Sequence, residues 1–159
     1  LNRRGLDAES EELVSQGGEQ VGVLAVDIDK FKAINDGHGH DAGDRVLVAV
    51  ANAVRDAVSA AGVRSVIART GGEEFVVVID AGTRSVLRVA ELVHEAVAQC
   101  DAAGAPTVSI GVSTAGIREG QACGVVRALI ERADTAMYRA KHDGGNQTAV
   151  ADGIVTAGD

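Results

Sequence analysis

The chain has 159 residues, 46% of them apolar, which suits one domain with a single core. With 15 basic against 23 acidic residues its formal net charge is −8, and its aromatics are only Phe31, Phe75 and Tyr138. Both facts argue against nucleic-acid binding, which needs phosphate-pairing cations or a base-stacking platform. No apolar run is long enough to span a bilayer and no signal peptide is visible, so a cytoplasmic location without direct membrane contact is expected. The two lone cysteines, Cys100 and Cys123, read as reduced and structural.

The elements follow in order. The opening Leu1-Asn2-Arg3-Arg4 reads as a cut from a longer chain, and residues 6–16 form a short acidic helix. Residues 21–28 (VGVLAVDI) are almost continuously apolar, as expected of a strand buried on both faces. Residues 29–35 allow one or two helical turns before the glycines of DGHGHDAG, and residues 44–61 carry Val46, Leu47, Val50, Val54 and Val58 at helical spacing. Residues 64–70 and 75–80 are two strands, and Gly71-Gly72 between them are expected to supply the positive φ of a tight hairpin. A helix over 83–100 with Thr83 as N-cap comes next, then a strand led by Pro106, a helix over 123–141 and a strand near 147–151. The last eight residues read as a frayed tail. Two β-α-β halves around a hairpin imply an α+β, ferredoxin-like palm: a mostly antiparallel sheet with helices on one face.

Asp27 closes the apolar strand, with Asp29 two residues on and Lys32 five on, at the kind of strand end where sheets place ligands. If the hairpin strands neighbour residues 21–28, Glu73 and Glu74 join them. Clustered carboxylates repel unless a cation sits between them, and oxygen-only ligands suit Mg²⁺ bridged to phosphates. Any one of these acids alone reads first as a solvated turn or a helix cap. Other motifs fail. An EF-hand loop from Asp27 would need an oxygen ligand and then glycine where Phe31 and Lys32 stand, and His38 and His40 lack cysteine partners for zinc.

Four separated motifs in order decide the reading: DIDKFKAIND at 27–36, GHDAGD at 39–44, GGEEF at 71–75 and ADTAMYRAK at 133–141. Together they resemble the GGDEF family of diguanylate cyclases, over about residues 1–150, with residues 151–159 as tail. The opening NRR resembles the end of that family's N-terminal signature. The resemblance implies a nucleotide-cyclase-like palm that condenses two GTP into cyclic di-GMP across a homodimer, one GTP per domain. It implies that Asp27, the main-chain carbonyl of Ile28 and Glu73 hold Mg²⁺, with Mn²⁺ as the alternative. Glu73 is then also the base for the 3′-hydroxyl, and Glu74 a second acid near the metals. Phe31 and Lys32 close over the triphosphate, Asn35 and Asp44 read guanine, and His40 lies near the ribose. Lys141 lies on the phosphate side, and an upstream sensor or receiver domain is implied in the full-length chain.

Two departures stand out. The family's G-R-N after the last helix is Gly144-Gly145-Asn146 here, so a phosphate-gripping arginine is missing. The R-x-x-D of the product-inhibition site is replaced by Gly62 and Ser65. An active cyclase is the leading expectation. A degenerate module that binds GTP without turnover is the alternative, and an unrelated ferredoxin-like interaction domain is the third.

Overall fold

The computed structural model describes residues 1–118 and 122–151, the side chains of Ala122 and Cys123 excepted. The Cys123 thiol and the tail from residue 152 therefore lie outside the described residues. Ala151 is buried, and its N–H donates to the Val112 carbonyl.

The elements run α1 (Arg3–Ser15), β1 (Gln20–Ile28), α2 (Phe31–His38), α3 (His40–Ala61), β2 (Ser65–Arg69), β3 (Glu74–Ile79), α4 (Thr83–Ala98), β4 (Val108–Gly116), α5 (Ala122–His142) and β5 (Thr148–Val150). The sheet order is β2-β3-β1-β4-β5, antiparallel except for the β4–β5 pair. This is the α+β palm expected from the sequence.

The helices, however, cover both faces. Leu24, Val26 and Ile28 of β1 pack with Val46, Val50 and Val54 of α3 and Val86, Val89 and Val93 of α4. Val21, Val23 and Ala25 pack on the other side with Leu6 and Leu13 of α1 and Leu129, Ala133 and Met137 of α5. The apolar run of β1 already demanded this, because alternate side chains leave a strand on opposite faces and each face must be covered. The expected helices on one face, and the single core, are corrected accordingly.

Local signals explain most boundaries. Asn2 caps α1 by accepting from the Gly5 N–H at 2.9 Å. Gly39, at φ +88°, separates α2 from α3. The N-cap of α4 is Gly82, not Thr83, whose hydroxyl bonds that of Thr114 at 2.8 Å. Gly111 lets α5 lie directly on β4: a Cβ there would stand 1.8 Å from the Ala133 carbonyl oxygen.

Candidate active site

Asp27 is the penultimate residue of β1, paired in register with Glu74 of β3 on one side and Ser109 of β4 on the other. Opposed residues of an antiparallel pair share a face, so Asp27 and Glu74 both point to the α1–α5 side. Glu73 is fastened from behind, its carbonyl accepting the Ile28 N–H at 3.2 Å. The hairpin therefore delivers both glutamates to the end of β1, as the sequence suggested.

Asp27 is only 5% exposed, and its carboxylate accepts a hydrogen bond from Lys141 Nζ in the last turn of α5. Burial pushes its pKa up to about 6; Lys141 opposes that rise, and the charges of Glu73 and Glu74 add to it. A buried carboxyl strained toward neutrality by two more carboxylates is a place where added positive charge is favourable. Among the described residues no group of three His, Cys, Asp or Glu side chains already forms a metal cage. The expected set is smaller: two carboxylates, Asp27 and Glu73, and the Ile28 carbonyl. All three donors are oxygen, which fits a hard divalent cation.

The hairpin tip is held differently from expectation. Neither Gly71 nor Gly72 is among the residues with left-handed φ. Instead Arg69 donates from Nε and Nη2 to the Gly72 carbonyl, at 3.1 and 2.7 Å, and from Nε to that of Gly71 at 3.2 Å. Thr70 N–H closes the hairpin on the Glu74 carbonyl at 3.0 Å. A Cβ at Gly71 would stand 2.9 Å from Glu74 Oε2, the mobile end of a side chain that would have to swing aside. Glu74 also lines a cavity of about 370 Å³ with Arg3, Leu6, Arg127 and Asp134.

The expected nucleotide-binding residues sit on the two helices that leave this edge. Lys30, at φ +51°, turns the chain from β1 into α2. Phe31 is half-buried against the α3–α4 core, while Lys32, His40 and Asp44 are exposed. Asn35 lies against α3 so closely that a Cβ on Gly43 would stand 1.8 Å from its Oδ1. That contact sets Asn35 beside the residue preceding Asp44. Among the described residues no hydrogen bond or ion pair ties Asn35, His40 or Asp44 to the carboxylates, so the site has two parts joined by the first turn of α2.

Asp29 was read only as a spaced acid, and its surroundings were missed. Its carboxylate is buried and accepts from Thr107 Oγ1 at 2.8 Å, Ser109 Oγ at 2.6 Å and the Asn146 N–H at 2.8 Å. Gly145 passes against it at φ +73°, where a Cβ would stand 3.1 Å from the carboxylate. Arg69 was also missed; its place two residues before the glycine pair was the available signal.

Residues 1–147 match the family described as "Diguanylate cyclase, GGDEF domain". Among curated relatives, the chain is 40% identical over 162 residues to response regulator PleD of Caulobacter vibrioides, covering 91% of this chain and 33% of PleD. It is 39% identical over 132 residues to diguanylate cyclase DgcM of Escherichia coli, covering 81% of this chain and 30% of DgcM. The chain thus spans about a third of the length of these relatives. It is also 35% identical to a cyclic di-GMP phosphodiesterase, PdeB of Shewanella oneidensis, over 96% of this chain and 18% of PdeB. Among solved structures, the active GGEEF domain of a Vibrio cholerae diguanylate cyclase superposes with a TM-score of 0.80 at 28% identity, covering 94% of this chain and 96% of that one. The GGDEF domain of DgcB from Caulobacter crescentus, in complex with c-di-GMP, superposes with a TM-score of 0.78 at 29% identity, covering 95% and 91%.

Proposed function

Since the chain belongs to the GGDEF family of diguanylate cyclases, we propose that it condenses two GTP into cyclic di-GMP and two pyrophosphates across a homodimer. The observation that carries this reading is the β1–β3 register, which sets Asp27 opposite Glu74 and ties Ile28 to Glu73. A degenerate hairpin would lack these acids.

In each half-reaction the 3′-oxygen of one GTP bonds to the α-phosphorus of the other, and the bond from that phosphorus to pyrophosphate breaks. Glu73 takes the hydroxyl proton and pyrophosphate leaves with the electron pair. Mg²⁺ or Mn²⁺, held by Asp27, Glu73 and the Ile28 carbonyl, would neutralise charge on the triphosphate. Glu74 adds a second acid beside them. Lys32 and Phe31 close over the phosphates, and His40 lies by the ribose. Lys141, which bonds Asp27, would offer its ammonium to a phosphate oxygen beside it. The Asp44 carboxylate accepts from guanine N1–H and N2–H₂ while Asn35 donates to its acceptor edge, a pattern adenine leaves unpaired.

One domain holds one GTP, so the reaction needs a second copy, which makes attack effectively intramolecular. An upstream sensor or receiver domain would control that pairing, in the cytoplasm. Gly62 and Ser65 offer neither the cation nor the carboxylate of a product-inhibition site.

The test is incubation with GTP and Mg²⁺ at several protein concentrations. Cyclic di-GMP should form, with specific activity rising with concentration, and Glu73→Gln should abolish it while GTP still binds. The second reading, a GTP-binding regulatory module without turnover, is favoured by one observation: Gly145 stands where the family's arginine would hold phosphate. GTP binding with no product at any concentration would establish that reading instead.

A further inference from the structure

The inference drawn here rests on the proposed reading of the site. We propose that Asp29 is a positioning residue for Lys141: it pins the segment after α5 so that the lysine is delivered to the catalytic carboxylates.

The end of α5 closes in a double turn. Gly145 N–H donates to the Ala140 carbonyl at 3.0 Å, and Gly144 N–H, at φ +120°, donates to the Lys141 carbonyl at 3.3 Å. These are the two bonds of a Schellman motif, with glycine at the position where left-handed φ is required. Lys141 lies inside this closure, so its backbone moves with the cap.

The cap is anchored at its next residue. Asn146 N–H donates to Asp29 Oδ2, and Gly145 lets the chain pass close enough to make that bond. Asp29 is itself fixed by two hydroxyls of the β4 entry, Thr107 on Oδ2 and Ser109 on Oδ1. Three donors on one carboxylate fix its orientation.

One strand end thus grips one segment twice. Asp27 takes the lysine side chain, and Asp29, two residues on, takes the main chain beyond it. Alternate residues of an extended chain emerge on the same side, which is why a D-x-D spacing accomplishes both. Because Gly145 carries no cation, Lys141 is the positive charge this segment places against Asp27. Its reach depends on where the cap sits, and the cap sits where Asp29 holds it.

The test is a double-mutant cycle on GTP affinity, measured by calorimetry in Mg²⁺, with Asp29→Asn, Lys141→Ala and the double variant. Each single change should weaken binding about tenfold, the scale of one charged hydrogen bond, and the double should be no weaker than either. A merely structural Asp29 would give additive losses, and additivity overturns the proposal. Two readouts need no nucleotide. In Asp29→Asn the Asn146 amide should exchange faster and the Lys141 ¹³Cε resonance should shift; an unmoved lysine resonance also refutes the proposal. Should Asp29→Asn fail to fold, Thr107→Val keeps the carboxylate, removes one hydroxyl and should move both signals in the same sense. Absence of cyclic di-GMP alongside a non-additive cycle would sink the cyclase reading and leave the positioning role standing.

Discussion

Neutralising Asp27 should make the metal-free protein more resistant to unfolding at neutral pH, although it destroys the proposed site. In the folded chain this carboxyl is pushed from its ordinary 3.8 up to about 6, chiefly by burial. The fold therefore keeps a proton that the unfolded chain has released. The resulting stabilisation is fully present below pH 3.8 and is lost as pH rises through 6. A shift of this size corresponds to about 3 kcal/mol between the two limits. In a domain of this length 1 kcal/mol moves the midpoint by about 2–4 °C, so the whole effect is about 6–12 °C.

Asp27→Asn keeps the shape and removes the titration. Thermal unfolding of both proteins in chelator, from pH 3 to 7.5, should show the variant gaining on wild type by that amount as pH rises. The pull of Lys141 is already contained in the value of about 6, so the change in the gap with pH is the quantity to read. Parallel curves refute the argument. Adding Mg²⁺ at pH 7.5 should raise the wild-type midpoint and leave that of Asp27→Asn unmoved, since a ligand at a hundred times its Kd contributes about 2.7 kcal/mol.

Three further outcomes are expected. Asp44→Ala should weaken GTP binding by about 1.5–3 kcal/mol, and equal wild-type affinities for ATP and GTP in calorimetry would remove the base-reading role. Gly111→Ala should destabilise the fold by about 1–3 kcal/mol, because its methyl meets α5 backbone rather than a side chain that can move; an unchanged midpoint in thermal unfolding contradicts that packing. Gly145→Arg should tighten GTP binding by about tenfold, the scale of one charged contact, while lowering stability by about 1–2 kcal/mol, because a side chain must adopt φ +73° beside Asp29. No gain in affinity would remove the phosphate role of that position.

Much of the architecture was legible because single residues carried it. The apolar run of β1 announced a strand buried on both faces, and the two short runs at 64–70 and 75–80 around a glycine pair announced the hairpin. The same run refuted a sheet with helices on one side only, a conclusion open to anyone who follows alternate side chains. Gly71 and Gly72 misled because glycine pairs at hairpin tips commonly serve backbone conformation; here Arg69 holds the tip through their carbonyls. Thr83 misled because its hydroxyl is taken by Thr114, more than thirty residues away. The partnerships of Asp29 were invisible for the same reason. They link Asp29, just past β1, to residues 78, 80 and 117 positions away, and nothing local signals a contact of that range.

The two departures from the family pattern acquire different weights from their places in the sheet. Ser65 opens β2 and pairs with Ile79, whereas the hairpin tip follows Arg69 at the other end of the same strand. At about 3.3 Å per residue, a strand of this length separates them by about 15 Å. Gly62 is the left-handed C-cap of α3, at φ +66°, so an arginine there would strain the cap it now closes without strain. A loss at that end bears on what regulates the domain and leaves the carboxylates untouched. Gly145 is the opposite case, lying against Asp29 at the catalytic end of β1. A side chain at 145 would begin 3.1 Å from the Asp29 carboxylate, beside the proposed site. What glycine provides instead is room for Asn146 to reach Asp29, and through that bond a fixed seat for Lys141. On the proposed reading, a triphosphate site served by Lys141 alone and an edge without the R-x-x-D pair predict weak GTP affinity without product inhibition.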